Sequence, residues 1–283
     1  MTRRTVAPYL LLAPSAGFML VLFGWPVVSG VLQAFGYGGN LGFTDVYWQR
    51  MADDPRFWES VRNTVLLILV LLPVQFCFAI GMALLLRARL RFSGGYFYLW
   101  AVPLAVSDLA AGLVWLSIFT DRGYLNSVLA WFGSDGVDWL NYQSPTRMLL
   151  AVVLAELWRS TSLVLVIVVS GMQLQPRDYE EAAQVFGATF WQRLRHVTLP
   201  LLRPSLQVAL ILRTILAFQA FAVAQALTGR QFPLLIGETY EWYVNLADPH
   251  VASAVAVVVL GISMVTAVIY LRALRVPEAE ARR

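Results

Sequence analysis

The stretch Gln173–Pro204, QLQPRDYEEAAQVFGATFWQRLRHVTLPLLRP, interrupts two long apolar runs and decides how the chain is read. Asp178, Glu180 and Glu181 open an expected helix, where negative charge meets the positive end of the helix dipole. Tyr179, Ala182, Ala183 and Phe186 recur three or four residues apart and share one face. Gly187 ends or bends that helix, since a residue without Cβ accepts left-handed dihedrals. Phe190, Trp191, Leu194 and Val197 make a second short apolar face beside Arg193, Arg195 and His196. Pro200 and Pro204 are expected to close the segment before the chain returns to the apolar phase. The reading is helix, glycine bend, helix: a small knob with an apolar side, held between two membrane crossings.

Outward from that loop, composition sets the class. The 283 residues are 59% hydrophobic and 13% charged, against about 25% charged in an ordinary soluble domain. Six apolar segments, approximately 8–32, 64–86, 95–119, 148–172, 205–227 and 251–271, each supply the roughly 20 helical residues that cross about 30 Å of hydrocarbon. The expected fold is all-α: a polytopic transmembrane helical bundle with six spans, one membrane domain over 1–283, and the polar loop 173–204. Arg3 and Arg4 precede the first run, but that run exceeds the roughly 7–15 residues of a signal-peptide core and reads as a crossing. The tract ADDPRFWESVRN reads as an amphipathic lead-in to the second, with Phe57 and Trp58 as interfacial anchors. The lone Cys77 excludes an internal disulfide and reads as a buried small hydrophobe.

Arginine placement orients the chain. The two tails and the loops after spans two and four hold 13 Arg and 5 acidic residues; the three alternate loops hold 6 Arg and 10 acidic residues. The positive-inside rule then puts both termini and the Gln173–Pro204 loop in the cytoplasm.

Several chemistries are unsupported. The chain has no lysine, so no phosphate-binding G-x-x-x-x-G-K-[ST] loop exists. H-E-x-x-H, C-x-x-C and G-x-S-x-G are absent, and His196 and His250 fall on opposite membrane sides, too far apart to share a metal. No catalytic residue, metal or cofactor is expected in this chain, so any energy source belongs to another subunit. Within the spans stand Glu156 and Arg213, and a charge in hydrocarbon faces a partner or a wet cavity. Two readings stay open: a structural ion pair, or groups lining a solute path. Asp108 is similar, and Arg159 and Thr161 extend a polar patch along span four. Trp158, Phe218 and Phe221 offer flat faces to a sugar ring, with Gln219 beside them. The knob's acidic start opposes adsorption to anionic lipid and favours docking of a cytoplasmic protein; nothing calls for nucleic acid.

Glu181, Ala182, Ala183, then Gly187, then Val197, Thr198, Leu199 and Pro200 resemble the EAA loop of permease subunits in binding-protein-dependent ABC importers. The surrounding residues are similar to the sugar branch, the maltose/glycerol-3-phosphate/trehalose-type permeases. Asp54, Pro55, Arg56, Phe57 and Trp58 with Asn63 and Thr64, Pro103 with Gly112, Leu113 and Trp115, Gly123 with Leu125 and Asn126, and Arg213 with Thr214 and Phe218 resemble further family segments. The likeness departs at Phe186, where the family carries an acidic residue, and in TGRQFPLLIGETYEWY, which lacks the family's Gly/Pro-rich tract. The resemblance implies that Asp178, Tyr179, Glu181, Ala182, Ala183, Phe186, Gly187, Leu199 and Pro200 couple to an ATP-binding subunit. It implies a homologous second permease, two ATP-binding subunits or domains carrying ATP and Mg2+, an external solute-binding lipoprotein and a sugar-like small molecule. It also implies a bacterial or archaeal cell membrane. Two alternatives stand beside it: an importer of glycerol-3-phosphate or another polyol derivative, and a non-transporting scaffold that recruits a cytoplasmic partner.

Overall fold

The computed structural model describes residues 3–39, 42–88 and 91–273, with the backbone alone for 3–10 and 273. Arg89 and the basic tail, which the orientation argument uses, lie outside the described residues. Those described form helices and no strand. In order they are α1 (Arg3–Met19), α2 (Trp25–Ala34), α3 (Val46–Asp53), α4 (Pro55–Arg87), α5 (Ser93–Ala101), α6 (Asp108–Phe119), α7 (Tyr124–Trp131) and α8 (Pro145–Gln173). There follow α9 (Asp178–Val185), α10 (Phe190–Arg193), α11 (Leu199–Phe218), α12 (Ala222–Thr228), α13 (Leu235–Tyr240) and α14 (Pro249–Ala273). Among the described residues, five continuous helices are long and apolar enough to cross a membrane, or six if the bent pair Ser93–Ala105 and Asp108–Trp131 counts as one span.

Three helices differ from the apolar segments. The second reaches back to Pro55, because Asp54 caps it: its Oδ1 accepts from the Arg56 amide at 2.9 Å, and Pro55 occupies a first-turn position that needs no N–H donor. Trp58 is exposed as an anchor should be, but Phe57 is buried. The segment 95–119 is not one rod. It bends by 102° around Val106 and Ser107, where Ser107 Oγ accepts from the Ala110 amide and starts α6 afresh. The segment 205–227 breaks at Gln219 and Ala220, between α11 and α12.

Pro200 and Pro204 do not close the loop, as the sequence led one to expect. Helix runs unbroken from Phe190 to Phe218. A proline ring collides with the carbonyl four residues back. Here a π-helical turn, Leu194–Thr198, widens the backbone just before Pro200, and the Leu199 amide donates to the Leu194 carbonyl. The first crossing uses the same device: π turn Leu20–Gly24 precedes Pro26, with the Trp25 amide on the Leu20 carbonyl. Such turns absorb a residue that would break an α-helix.

The chain divides into two compact units, residues 1–58 with 235–261, and 59–234 with 262–283. In the first, Tyr47 stacks on His250 with ring centroids 4.6 Å apart. His250 Nδ1 lies 2.9 Å from the Gln33 carbonyl, and Arg50 pairs with Asp248 at 2.7 Å. In the second, Leu67, Ala111, Phe119, Ala151, Val223 and Ala224 build one apolar core from α4, α6, α8 and α12. Ala79, Val164, Val168, Leu202 and Ala209 build another from α4, α8 and α11. Small residues bring these helices close: a Cβ on Gly112 would stand 2.6 Å from the Ala226 Cβ. Cys77 is exposed, contrary to expectation. Lipid solvates apolar side chains, so an apolar helix has no need to turn them all inward.

Candidate functional site

Two sets of residues stand out in the second unit. The first lies between α6, α8, α4 and α11. Arg213 Nη2 donates to Glu156 Oε2 at 2.9 Å, and Arg213 Nε donates to Gln75 Oε1 at 3.0 Å. Gln75 Nε2 donates in turn to Ser160 Oγ at 3.0 Å. Arg159 Nη1 meets Asp108 Oδ1 at 2.7 Å, and its Nη2 is 3.7 Å from Glu156 Oε2. Two carboxylates and two guanidiniums thus balance within one cluster, which is how charges persist in a low-dielectric interior. Accessibility divides the cluster. The Glu156 and Arg213 side chains are 2% and 1% exposed, while those of Asp108 and Arg159 are 52% and 22% exposed. The inner pair joins α8 to α11 away from the surface; the outer pair, between α6 and α8, is open to it.

The other path candidates scatter. Trp158 meets Trp115 edge-on, centroids 6.3 Å apart. With Phe78, Trp100, Pro103 and Thr161, these two line an apolar cavity of about 380 Å³. The Thr161 hydroxyl donates to the Leu157 carbonyl of its own helix. Phe218 is buried, and Gln219 is exposed at the break between α11 and α12. Sequence reasoning did not single out Gln75; a lone amide in the run LPVQFCFAI was the available signal.

The second set is the elbow. Helix α9 has no buried residue. Its C-terminus is a Schellman motif: the Gly187 amide donates to the Gln184 carbonyl at 2.9 Å and the Ala188 amide to the Ala183 carbonyl at 3.0 Å. This geometry needs the left-handed φ of +78° that Gly187 adopts. Thr189 then starts α10 with a capping box, its amide donating to Gln192 Oε1 at 2.8 Å. Asp178, Tyr179, Glu181 and Ala182 are exposed, Ala183 is half-buried, and Phe186 is 90% exposed. Leu199 and Pro200 are half-buried where the elbow joins α11. The polar anchor is Glu180, which the sequence marks as part of the acidic helix start but not among the coupling residues. Glu180 receives Arg87 Nε at 3.1 Å on Oε2 and the Thr198 hydroxyl at 3.0 Å on Oε1.

A third cluster explains Gly123, Leu125 and Asn126. Asn126 Nδ2 donates to the carbonyls of Asp121 and Val137 at 3.1 and 2.9 Å, and its Oδ1 accepts from the Val137 amide at 3.0 Å. It ties the loop after α6 into a knot. A Cβ on Gly123 would stand 2.5 Å from the Ile118 carbonyl oxygen.

These observations define an all-helical, multi-pass membrane protein with a helical elbow between two of its long helices. The chain belongs to the family described as binding-protein-dependent transport system inner membrane component, whose pattern matches residues 75–277. It is 35% identical over 285 residues to the sulfoquinovosyl glycerol transport system permease protein SmoG of Agrobacterium fabrum, covering 94% of this chain and 89% of that protein. It is 30% identical over 231 residues to the trehalose/maltose transport system permease protein MalF of Thermococcus litoralis, covering 79% and 76% of the two chains. In fold it matches a chain of a bacterial ABC transporter involved in import of the acidic polysaccharide alginate, with TM-score 0.82, 19% identity and 96% coverage of both chains.

Proposed function

We propose that this chain is the permease subunit of an ATP-driven importer that takes a sugar or related carbohydrate from an external solute-binding protein. It pairs with a second, homologous permease. Two ATP-binding subunits or domains, carrying ATP and Mg2+, act on the elbow from the cytoplasmic side, where both termini also lie. The observation that carries this reading is the elbow itself. An eight-residue helix with no buried side chain, followed by a 90% exposed Phe186, supports docking of a cytoplasmic partner on this face. The names of the two relatives, one handling sulfoquinovosyl glycerol and one trehalose and maltose, support a carbohydrate substrate. Asp108 and Arg159, the exposed members of the cluster, are our candidates to meet it, with Trp158 as a candidate stacking face.

ATP binding and release must bias a two-state element for transport to occur, and the elbow is that element. Gly187→Ala tests this. A side chain at left-handed φ costs roughly 1–2 kcal/mol, enough to displace α9 relative to α10 without touching the spans. Reconstituted with its partners, the variant is expected to insert normally but to hydrolyse ATP without accumulating solute. ATP-dependent uptake equal to wild type would defeat the proposal. Uptake absent in the wild-type complex as well would favour the scaffold reading.

A further inference from the structure

Apolar packing does not hold α9 in place, since none of its residues is buried. Among the described residues, Glu180 is the one member of α9 whose side chain bonds to another element. Its partner Arg87 is the last residue of α4. Arg87 reaches a third helix as well: its Nη1 donates to the Met172 carbonyl at 2.9 Å and to Gln175 Oε1 at 3.3 Å. That carbonyl is near the end of α8, where a cation also meets the negative end of the dipole. Arg87 is mostly buried and lines a groove on either side. One cavity of about 330 Å³ is lined by Arg87, Met172 and Gln175; another of about 320 Å³ is lined by Arg87, Glu180, Phe190 and Thr198. Helix α9 is therefore tied to the feet of α4 and α8 by a polar joint, with a groove on either side of it. Charge-assisted bonds hold such a joint in a defined direction, which loose packing cannot do.

We infer that Arg87, Glu180 and Thr198 are positioning residues that set the angle at which α9 presents Glu181 and Ala182 to the ATP-binding subunit. This rests on the docking role of the elbow given above. The joint links that surface to the feet of α4 and α8 at once, so a push on α9 is delivered to two spans through one guanidinium.

The test uses the full complex with Cys77→Ser in this chain. Ala88→Cys with Gln184→Cys places a reporter pair across the cavity between α4 and α9, and a separate Ala182→Cys reports docking to the ATP-binding subunit. Glu180→Gln, Arg87→Gln and the double variant are compared. Each single change is expected to slow crosslinking of the reporter pair about tenfold, the factor that one charge-assisted hydrogen bond commands. The double variant should be no slower than either single, and Thr198→Val should give a smaller slowing of the same kind. Crosslinking from Ala182→Cys to the ATP-binding subunit should fall in parallel, a change in how α9 is presented that a merely stabilising contact would not produce. Unaltered crosslinking rates, or single effects that multiply in the double variant, would overturn the joint. If Ala182→Cys captures no ATP-binding subunit even beside wild-type Glu180, the docking role fails instead, and the reporter pair alone still says whether the joint exists.

Discussion

Removing one member of the buried Glu156–Arg213 pair should be far more damaging than removing both. Their side chains are 2% and 1% exposed and meet at 2.9 Å. Breaking a buried pair by deleting one charge costs about 3–5 kcal/mol, whereas replacing both with neutral groups is often neutral or better. The geometry adds an asymmetry. Glu156 serves two cations, Arg213 at 2.9 Å and Arg159 at 3.7 Å. Glu156→Gln strips a carboxylate from both; Arg159 retains Asp108 in contact at 2.7 Å, while Arg213 keeps only the Gln75 amide oxygen in contact and Asp108 at longer range. Arg213→Met instead leaves Glu156 with Arg159. Glu156→Gln is thus expected to fall near the top of the range and Arg213→Met below it. At about 2–4 °C per kcal/mol for a chain of this size, Glu156→Gln should lower the thermal midpoint of the purified complex by on the order of 10 °C. The assay is a double-mutant cycle on that midpoint. Glu156→Gln/Arg213→Met should be more stable than Glu156→Gln alone. A double variant that loses the sum of the two single effects would refute the reasoning, since the two charges would then act independently.

Gly112→Ala should force α6 from α12, because the new Cβ would meet the Ala226 Cβ at 2.6 Å and the Val223 carbonyl oxygen at 3.1 Å. Overpacking of this kind costs about 1–3 kcal/mol, whereas Gly81→Ala, with nothing within 4 Å, should leave the melting curve unchanged or slightly raised. Asn126→Ala should strip the loop after α6 of its side-chain bonds to Asp121 and Val137, exposing it to limited proteolysis while α8 and α11 stay protected.

The membrane class, the all-helical fold and the elbow were legible in the linear chain because each is a local property. Hydropathy is summed along a run, and a helix with an acidic start and a glycine stop carries its own signals. Glu156, Arg159, Arg213 and Asp108 were legible as a group for a related reason: a charge in hydrocarbon needs a partner, and few were available. Which of them pair was not, because pairing joins α6, α8 and α11 across many residues of chain. Gln75 was passed over since an amide raises little alarm in an apolar run, yet it bridges Arg213 and Ser160.

What the amino-acid order carried alone was the succession of long apolar runs and the polar elbow that interrupts two of them. Tertiary structure decided which face of each helix turns inward. Lipid and protein interior are both apolar, so hydropathy cannot separate exposed Cys77 from buried Leu71 on one helix. It also decided that helix continues through Pro200, where a π turn relieves the clash a proline ring makes. And it made Glu180 the anchor while leaving Glu181 exposed. Adjacent glutamates are chemically alike, and only the position of Arg87 at the foot of another helix tells them apart.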